Sequence, residues 1–455
     1  MDSGRFSPDG EENIRLSFYL WTAGSFSEDG REPSYLREPL GIFVTAAHMA
    51  LLTDIPESAT TEKLIRDSHY RKQILWVNLY YLVGLLLAVW WLSWLLTRSH
   101  VVGALAIIGT GLFSTVQYHS GNLLTESLAA LTLALACASM VWLVQTKRLR
   151  AAVLAGVMLG VLALTKAAAL YVALVAIPVL AVSTDLFGLL PRRAALTVLA
   201  VTALSFAITV TPWMTRNYLQ FGDFAIAQRG GVVLYTRALK DNMSREEYWG
   251  TFYAYAPVPL RKHVFESLLG FRAQDLKPGG RYGRLVRYPP GEPQVVMAGD
   301  VEDAVSYFGK AWAMKVRLSK QMAAAGLPQS EVDRVLQERA MDMIKAAPGR
   351  HLATTVPFAW RGLWSFAGDT LLGVGANLVA FVTLLAFPFI AIWRRRAEWF
   401  AFSLLAVGMF WFHALFTHFI PRYSEPLVPL AVLSVLVLVH ALFVRLKERR
   451  SSTRI

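Results

Sequence analysis

Long apolar runs dominate this sequence, and several approach the ~20 residues that an α-helix needs to cross a lipid bilayer. Of the 455 residues, 55% are hydrophobic and 17% are charged, which is less charge than a soluble chain of this length carries. This pattern predicts an all-α polytopic membrane protein. The runs occupy residues 72–96, 101–117, 123–145, 152–183, 194–213, 372–393, 397–417 and 425–445.

One of these runs, 152–183, is too long for a single straight membrane helix and short for two full-length ones. We interpret it as two short helices that meet near Lys166, a charged residue close to its middle. With this break, the sequence contains about nine membrane segments.

The basic residues lie at alternate ends of the apolar runs. A net charge of +13 is found in many nucleic-acid-binding proteins, but this alternation is the positive-inside pattern of membrane proteins. It predicts short cytoplasmic loops, a cytoplasmic C-terminus and contact with anionic membrane lipids, with no nucleic-acid partner. The residues concerned are Arg98, Lys147, Arg148, Arg150, Arg192, Arg193, Arg394, Arg395, Arg396, Arg445, Lys447, Arg449 and Arg450.

This topology divides the chain into four regions. We predict a first outer loop with interfacial helices at 1–71, an N-terminal transmembrane bundle at 72–213, a non-cytoplasmic loop domain at 214–371, and C-terminal transmembrane helices with a basic cytoplasmic tail at 372–455.

Local signals place three features within these regions. The segment Ser7-Pro8-Asp9-Gly10 is typical of a turn, and a short helix is expected to follow it from Asn13 to Trp21. Pro212 and Trp213 fit the outer end of a membrane helix. An interfacial aromatic helix is expected at 357–366.

Lys166 is the first candidate for a functional residue. It has at least ten mostly apolar residues on each side, and an ammonium in that position needs an anionic partner or a water-filled cavity. Snorkelling of the side chain to the membrane surface is the alternative, and it works poorly so far from both ends of the run. A phosphate or pyrophosphate suits a compact ammonium, so we expect Lys166 to bind one.

Two carboxylates are further candidates, each with a structural alternative. Glu126 begins the run at 123–145 on the outer side, where the helix dipole alone also favours a carboxylate. Asp9 lies in the first outer loop, where it also suits a turn or a helix N-cap.

Arg422 lies in a short outward turn, against the positive-inside bias, which indicates that something holds it there. Together with Arg216 it is placed to bind an anionic lipid headgroup; an ordinary solvated arginine is the alternative. In the turn at 118–122, His119 and Asn122 are acceptor-side candidates. The histidines show no metal-ligand spacing, so no dedicated metal site is predicted, and a cofactor stays unknown with a divalent metal left open.

Several of these segments also resemble the GT-C membrane glycosyltransferases, the group that includes protein O-mannosyltransferases and lipid A aminoarabinose transferases. The resemblance follows the family's order over nearly the whole chain. It rests on Ser7-Pro8-Asp9-Gly10 with Gly24-Ser25-Phe26-Ser27, on the acidic element Asn122 to Leu128, on Leu164-Thr165-Lys166, on Thr211 to Tyr218 and on Pro421 to Leu427.

The resemblance implies a GT-C-like helix bundle that transfers a sugar, with inversion, from a polyprenyl-phosphate donor to a glycan, lipid or protein hydroxyl. It implies Asp9 as general base, Glu126 as the group that positions the acceptor or tunes that base, and Lys166 with Arg422 as the binders of the lipid phosphate. The 214–354 segment would cover the acceptor. The site would face the periplasm or exterior from the inner (plasma) membrane.

The chain departs from the family pattern in two places. The family has a membrane helix before the aspartate loop, and this sequence starts inside that loop, so the first family helix is expected to be missing. The family often has an aromatic residue four positions after the aspartate, and here the residue is Asn13.

Two other functions fit parts of the sequence. A lipid-linked-sugar flippase or transporter would use Lys166 and Glu126 to line a translocation path, but it predicts matching broken helices in two halves. This chain has one broken run. An inactive truncated homologue of the transferases is the third hypothesis, and the expected absence of the first family helix favours it.

Overall fold

The computed structural model describes residues 6–111, 121–228, 230–287, 289–327, 330–365 and 368–452. Across these ranges the regular secondary structure is helical, without a β-strand. The chain divides into two compact units. The first comprises Met1–Ile226, Val379–Met409 and Glu425–Ile455, and the second comprises Ala227–Leu378 and Phe410–Ser424.

The first unit begins with four helices of 6 to 15 residues, and predominantly apolar helices follow them. They are α1 (Pro8–Thr22), α2 (Pro39–Leu52), α3 (Thr61–Arg66), α4 (Ser68–Leu75), α5 (Val77–Thr97), α6 (His100–Gly111), α7 (Glu126–Thr146), α8 (Leu149–Thr165), α9 (Ala168–Leu186) and α10 (Arg192–Phe221).

The second unit consists of shorter helices connected by single helical turns. Its main helices are α11 (Gly230–Leu239), α12 (Arg245–Ala254), α13 (Glu292–Ala298), α14 (Tyr307–Ala324), α15 (Ser330–Ala346) and α16 (Pro348–Gly362). Three long helices follow, of which the first two belong in part to each unit: α17 (Leu371–Arg394), α18 (Ala397–Phe416) and α19 (Val428–Ser452).

Six helices in the described ranges are long and apolar enough to cross a membrane, fewer than the nine segments expected. They are Ser68–Thr97, Glu126–Thr146, Arg192–Phe221, Leu371–Arg394, Ala397–Phe416 and Pro421–Ser451. Four shorter apolar helices accompany them at Pro39–Leu52, His100–Gly111, Leu149–Thr165 and Ala168–Ser183. The class of helical membrane protein is therefore supported, and the nine-segment arrangement stays a prediction.

The break expected near Lys166 is confirmed. Helix α8 ends at Thr165, Lys166 has extended backbone angles (φ −141°, ψ 109°), and α9 begins at Ala168.

The turn predicted at residues 7–10 is wrong, because this segment starts a helix. The hydroxyl of Ser7 accepts a hydrogen bond from the Gly10 N–H at 3.2 Å, and Pro8 is the first helical residue. A serine N-cap followed by proline satisfies the free N–H groups of a first turn with a preset φ angle. Helix α1 is therefore longer than the expected 13–21 helix, and Asp9 lies in its first turn.

Helix α10 does not end at Pro212 and Trp213, as the sequence suggested. It continues to Phe221 and closes at Gly222, whose left-handed φ of 72° suits glycine. Proline inside a membrane helix is tolerated when neighbouring groups satisfy the backbone carbonyl that it leaves open. The expected aromatic helix at 357–366 is also displaced, to Pro348–Gly362, with Pro348 in its first turn.

Helix α8 packs closely against α10 through two glycines that are four residues apart. A Cβ atom on Gly156 would lie 2.3 Å from the backbone oxygen of Thr202, and one on Gly160 would lie 2.5 Å from the Cβ of Thr209. Small residues at this spacing allow two membrane helices to approach backbone to backbone. The contact fixes the position of α8, at whose end Lys166 lies.

Candidate functional site

Glu126 and Lys166 meet because α7 and α8 form a helical hairpin. Only Lys147 and Arg148 separate the two helices, and Lys147 closes α7 with a left-handed φ of 57°. The helices have 21 and 17 residues, so their lengths are similar. The first residue of α7 and the residue that follows α8 therefore lie at the same end of the hairpin.

The two side chains form an ion pair at that end. The Nζ of Lys166 lies 3.1 Å from the Oε1 of Glu126, and their side chains are 19% and 2% exposed. The carboxylate is buried in the first turn of α7, where the helix dipole favours a negative charge. The lysine side chain, in contrast, is partly exposed. The pair thus places a partly accessible cation beside a buried anion at the end of two apolar helices.

The loop between α1 and α2 connects this pair to Asp9. Glu38 accepts a hydrogen bond from the backbone N–H of Ala167 at 3.2 Å, directly beside Lys166. Its neighbour Arg37 donates to the Oδ1 of Asp9 at 2.6 Å and to the Oε2 of Glu12 at 2.9 and 2.6 Å. Two adjacent loop residues therefore contact both the first turn of α1 and the break after α8.

Arg37 is the residue of this site that sequence reasoning missed. Its side chain is 10% exposed, while those of Asp9 and Glu12 are 31% and 26% exposed. Burial opposes the charge of Arg37, but the carboxylates of Asp9, Glu12 and Glu38 raise the pKa of its guanidinium above the ordinary value. The only sequence signal was an arginine beside a glutamate in an acidic segment.

Two asparagines hold the segment that leads into α7. The Nδ2 of Asn13 donates to the Leu123 carbonyl at 2.9 Å, and the Nδ2 of Asn78 donates to the Asn122 carbonyl at 3.1 Å. Leu123 also packs in an apolar cluster with Ile14 of α1. Asn122 is thus positioned through its backbone. His119 lies outside the described residues, so its acceptor-side role stays a prediction.

Arg216 belongs to the first unit and contacts other residues of that unit. Its Nη1 donates to the Ser34 carbonyl at 2.7 Å and to the Asn217 side chain at 2.9 Å. Its guanidinium lies 4.9 Å from the centre of the Trp213 ring and 5.3 Å from that of Phe221. These contacts fasten the loop at Ser34 to the end of α10.

Arg422 lies in a 3₁₀ segment, Pro421–Leu427, and is half-buried. It belongs to the second unit, whereas Lys166 and Arg216 belong to the first. The joint phosphate site and the joint headgroup site predicted for these residues stay predictions.

The second unit contains a buried polar cluster that the sequence did not indicate. Arg237 is fully buried and donates to Asp241 at 2.5 Å and to the His351 carbonyl at 2.9 Å. The other oxygen of Asp241 lies 2.8 Å from the Nδ1 of His351, and Thr354 also donates to Asp241. These partners outweigh burial and lower the pKa of Asp241 below 3.8.

In the described ranges, no group of three His, Cys, Asp or Glu side chains is arranged to hold a metal ion. The fold and the paired charges define a helical membrane protein with an ionisable site at the end of a broken helix. Comparison of the chain with protein-family models, with curated proteins and with solved structures gave no match.

Proposed function

We propose that this protein is a membrane glycosyltransferase that moves a sugar from a polyprenyl-phosphate carrier to an acceptor hydroxyl. The observation that carries the proposal is the Lys166–Glu126 pair. Ionisable residues in membrane helices cost free energy, so they mark candidate functional sites. The resemblance to GT-C enzymes gives the pair a specific chemistry.

In the proposed reaction, the acceptor oxygen attacks the anomeric carbon while the bond from that carbon to the phosphate oxygen breaks. The acceptor proton passes to Asp9, and the electron pair of the broken bond leaves with the polyprenyl phosphate. A base on one face of the sugar and a cation at the leaving group are what this displacement requires.

Lys166 is proposed to stabilise the phosphate that leaves. Its side chain is 19% exposed, which allows an incoming phosphate oxygen to replace Glu126. Glu126 then positions the acceptor or tunes the base. Arg216, which donates to the Ser34 carbonyl, is a second proposed phosphate ligand in the first unit, and Arg422 is proposed as a phosphate ligand from the resemblance alone.

Arg37 holds the Asp9 carboxylate by an ion pair at 2.6 Å. Such a pair orients the carboxylate but also favours its ionised form, which weakens it as a base. The proposed base role therefore requires the acceptor to compete with Arg37 for the same oxygen or to use the other oxygen of Asp9.

The proposed location is the inner (plasma) membrane, with the site facing the periplasm or exterior. The basic residues at the Lys147 end of the α7–α8 hairpin support this proposed orientation, since Glu126 and Lys166 lie at its other end. The acceptor is a glycan, lipid or protein.

A lipid-linked-sugar transporter is the second candidate, and the unwound residues Lys166 and Ala167 favour it. Membrane helices that are interrupted at a charged residue are typical of transport sites. The same pair would then bind a lipid phosphate during translocation, without transfer of the sugar.

The test is an assay of the purified protein in liposomes with radiolabelled polyprenyl-phosphate sugars and candidate acceptors. Asp9→Asn should abolish transfer. Glu12→Gln is the matched control because Glu12 binds the same guanidinium, and it should keep transfer. Equal loss in both variants would assign Asp9 a structural role with Arg37. Movement of the lipid-linked sugar across the bilayer without transfer would select the transporter.

A further inference from the structure

Two basic side chains of the second unit, Lys240 and Arg361, lie beside the ring of Tyr255. Lys240 is 3% exposed, and its Nζ has one hydrogen bond, to the Tyr255 hydroxyl at 3.4 Å. The guanidinium of Arg361 lies 4.3 Å from the centre of the same Tyr255 ring. Neither residue forms an ion pair with a carboxylate in the described part of the chain.

A histidine and a further arginine extend this group. Arg361 donates to the His418 carbonyl at 3.1 Å. The ring of His418 lies 5.8 Å from that of Phe308, and Arg287 stacks on Phe308 at 4.2 Å. His418 is 6% exposed, and its Nδ1 has no hydrogen-bond partner. The group therefore runs from buried Lys240 to exposed Arg287.

Two carboxylates of this unit, Asp241 and Glu247, have other partners. Asp241 binds Arg237, His351 and Thr354. Glu247 caps α12 and lies 3.3 Å from Arg284. Burial and the neighbouring cations lower the pKa of Lys240 well below 10.5, and they lower the pKa of His418 well below 6.5. The charged forms of Lys240 and His418 are therefore unfavourable in the empty protein, and a bound anion would favour them.

We propose that Lys240, Arg361 and His418, with Arg287 at the exposed side, form a binding site for a phosphate group. A compact ammonium and a planar guanidinium match the several oxygens of a phosphate better than a single carboxylate does. A doubly charged phosphate also balances more of the positive charge than a monoanion. This site lies within the second unit and does not depend on whether the chain transfers a sugar.

The unusual consequence of this site is that removal of a binding residue should stabilise the empty protein. Lys240→Met keeps the length of the side chain and removes a buried amine that burial and neighbouring cations disfavour. Its ligand-free melting temperature should therefore rise. If Lys240 served only to stabilise the fold, Lys240→Met would lower the melting temperature instead.

The experiment measures binding of inorganic phosphate and pyrophosphate to the purified full-length protein in detergent, by calorimetry and by thermal stabilisation. Lys240→Met and Arg361→Gln should each weaken binding about ten- to a hundredfold. Arg284→Gln is the matched control, because Arg284 also stacks on a tyrosine, at 4.4 Å from the ring of Tyr307, but pairs with Glu247. It should bind as the wild type does.

Experiments with lipid vesicles distinguish a soluble phosphate from the phosphate of a lipid headgroup. Stabilisation by free phosphate in detergent identifies a soluble ligand, and stabilisation only in phosphatidylglycerol vesicles, not phosphatidylcholine vesicles, identifies a lipid headgroup. Either result that is lost in Lys240→Met supports the site. The proposal is overturned if neither source binds, if acetate binds as well as phosphate, or if Lys240→Met melts lower than the wild type and still binds phosphate normally.

Discussion

Removal of the lysine from the Lys166–Glu126 pair should destabilise the protein more than removal of both charges together. In Lys166→Met, the carboxylate of Glu126, 2% exposed, loses the Lys166 ammonium. Breaking a buried ion pair by removing one partner costs about 3–5 kcal/mol. Because the lysine side chain is 19% exposed, water already screens part of the interaction, and we expect a loss of about 2–3 kcal/mol.

The double variant tests whether the pair is responsible. Glu126→Gln removes the charge at nearly constant volume, so Lys166→Met combined with Glu126→Gln leaves no buried ion. We expect the double variant to be about 1–2 kcal/mol less stable than the wild type, with a coupling energy of about 2 kcal/mol between the two sites.

The free energy of unfolding can be measured in mixed detergent and dodecyl sulfate micelles by circular dichroism. Arg334 and Glu338 provide a matched control, because their ion pair has the same 3.1 Å distance but side chains that are 62% and 60% exposed. Their double-mutant cycle should show no measurable coupling. If the Lys166 and Glu126 effects simply add, the reasoning about a buried, mutually dependent pair is refuted.

Three further predictions concern other parts of the molecule. Arg37→Gln should lower the free energy of unfolding by about 2–3 kcal/mol, because it leaves two carboxylates of α1 without their shared cation; Arg37→Lys should restore only part of this in the same assay. Acid should destabilise the second unit: the pKa of Asp241 is depressed, so its contribution is present above 3.8 and is lost as the pH falls through the folded-state pKa. Asp241→Asn should flatten that pH profile. Gly156→Ala should cost about 1–3 kcal/mol through its clash with α10, whereas Gly375→Ala, with open space around it, should be neutral.

The sequence predicts features that depend on local composition. Apolar length and one central lysine were enough to locate the break at Lys166, and the helices at the C-terminal end have nearly their expected bounds. The start of α1 was missed, although Ser7 and Pro8 are a recognisable N-cap and first helical residue. A turn and a helix start share these residue types, and only the following contacts distinguish them.

The remaining features depend on distant residues. Arg37 binds a carboxylate 28 positions away, and His351 binds Asp241 across 110 positions. No local periodicity or short sequence motif predicts a contact between residues so far apart in the chain. The number of membrane segments stays a prediction, since hydropathy and helix length do not separate a short buried helix from one that spans the bilayer.

The ion pair between Lys166 and Glu126 affects which anions can bind to Lys166. Since Glu126 already neutralises this ammonium, the resting pair offers no net charge to attract chloride or other abundant monovalent ions. An incoming anion must attract the Lys166 ammonium more strongly than the Glu126 carboxylate does. The Lys166 side chain, where this exchange would occur, is only partly exposed to water. For the phosphate that we propose at Lys166, the resident carboxylate is a competitor, and a multiply charged anion displaces it more readily than a monovalent salt ion does.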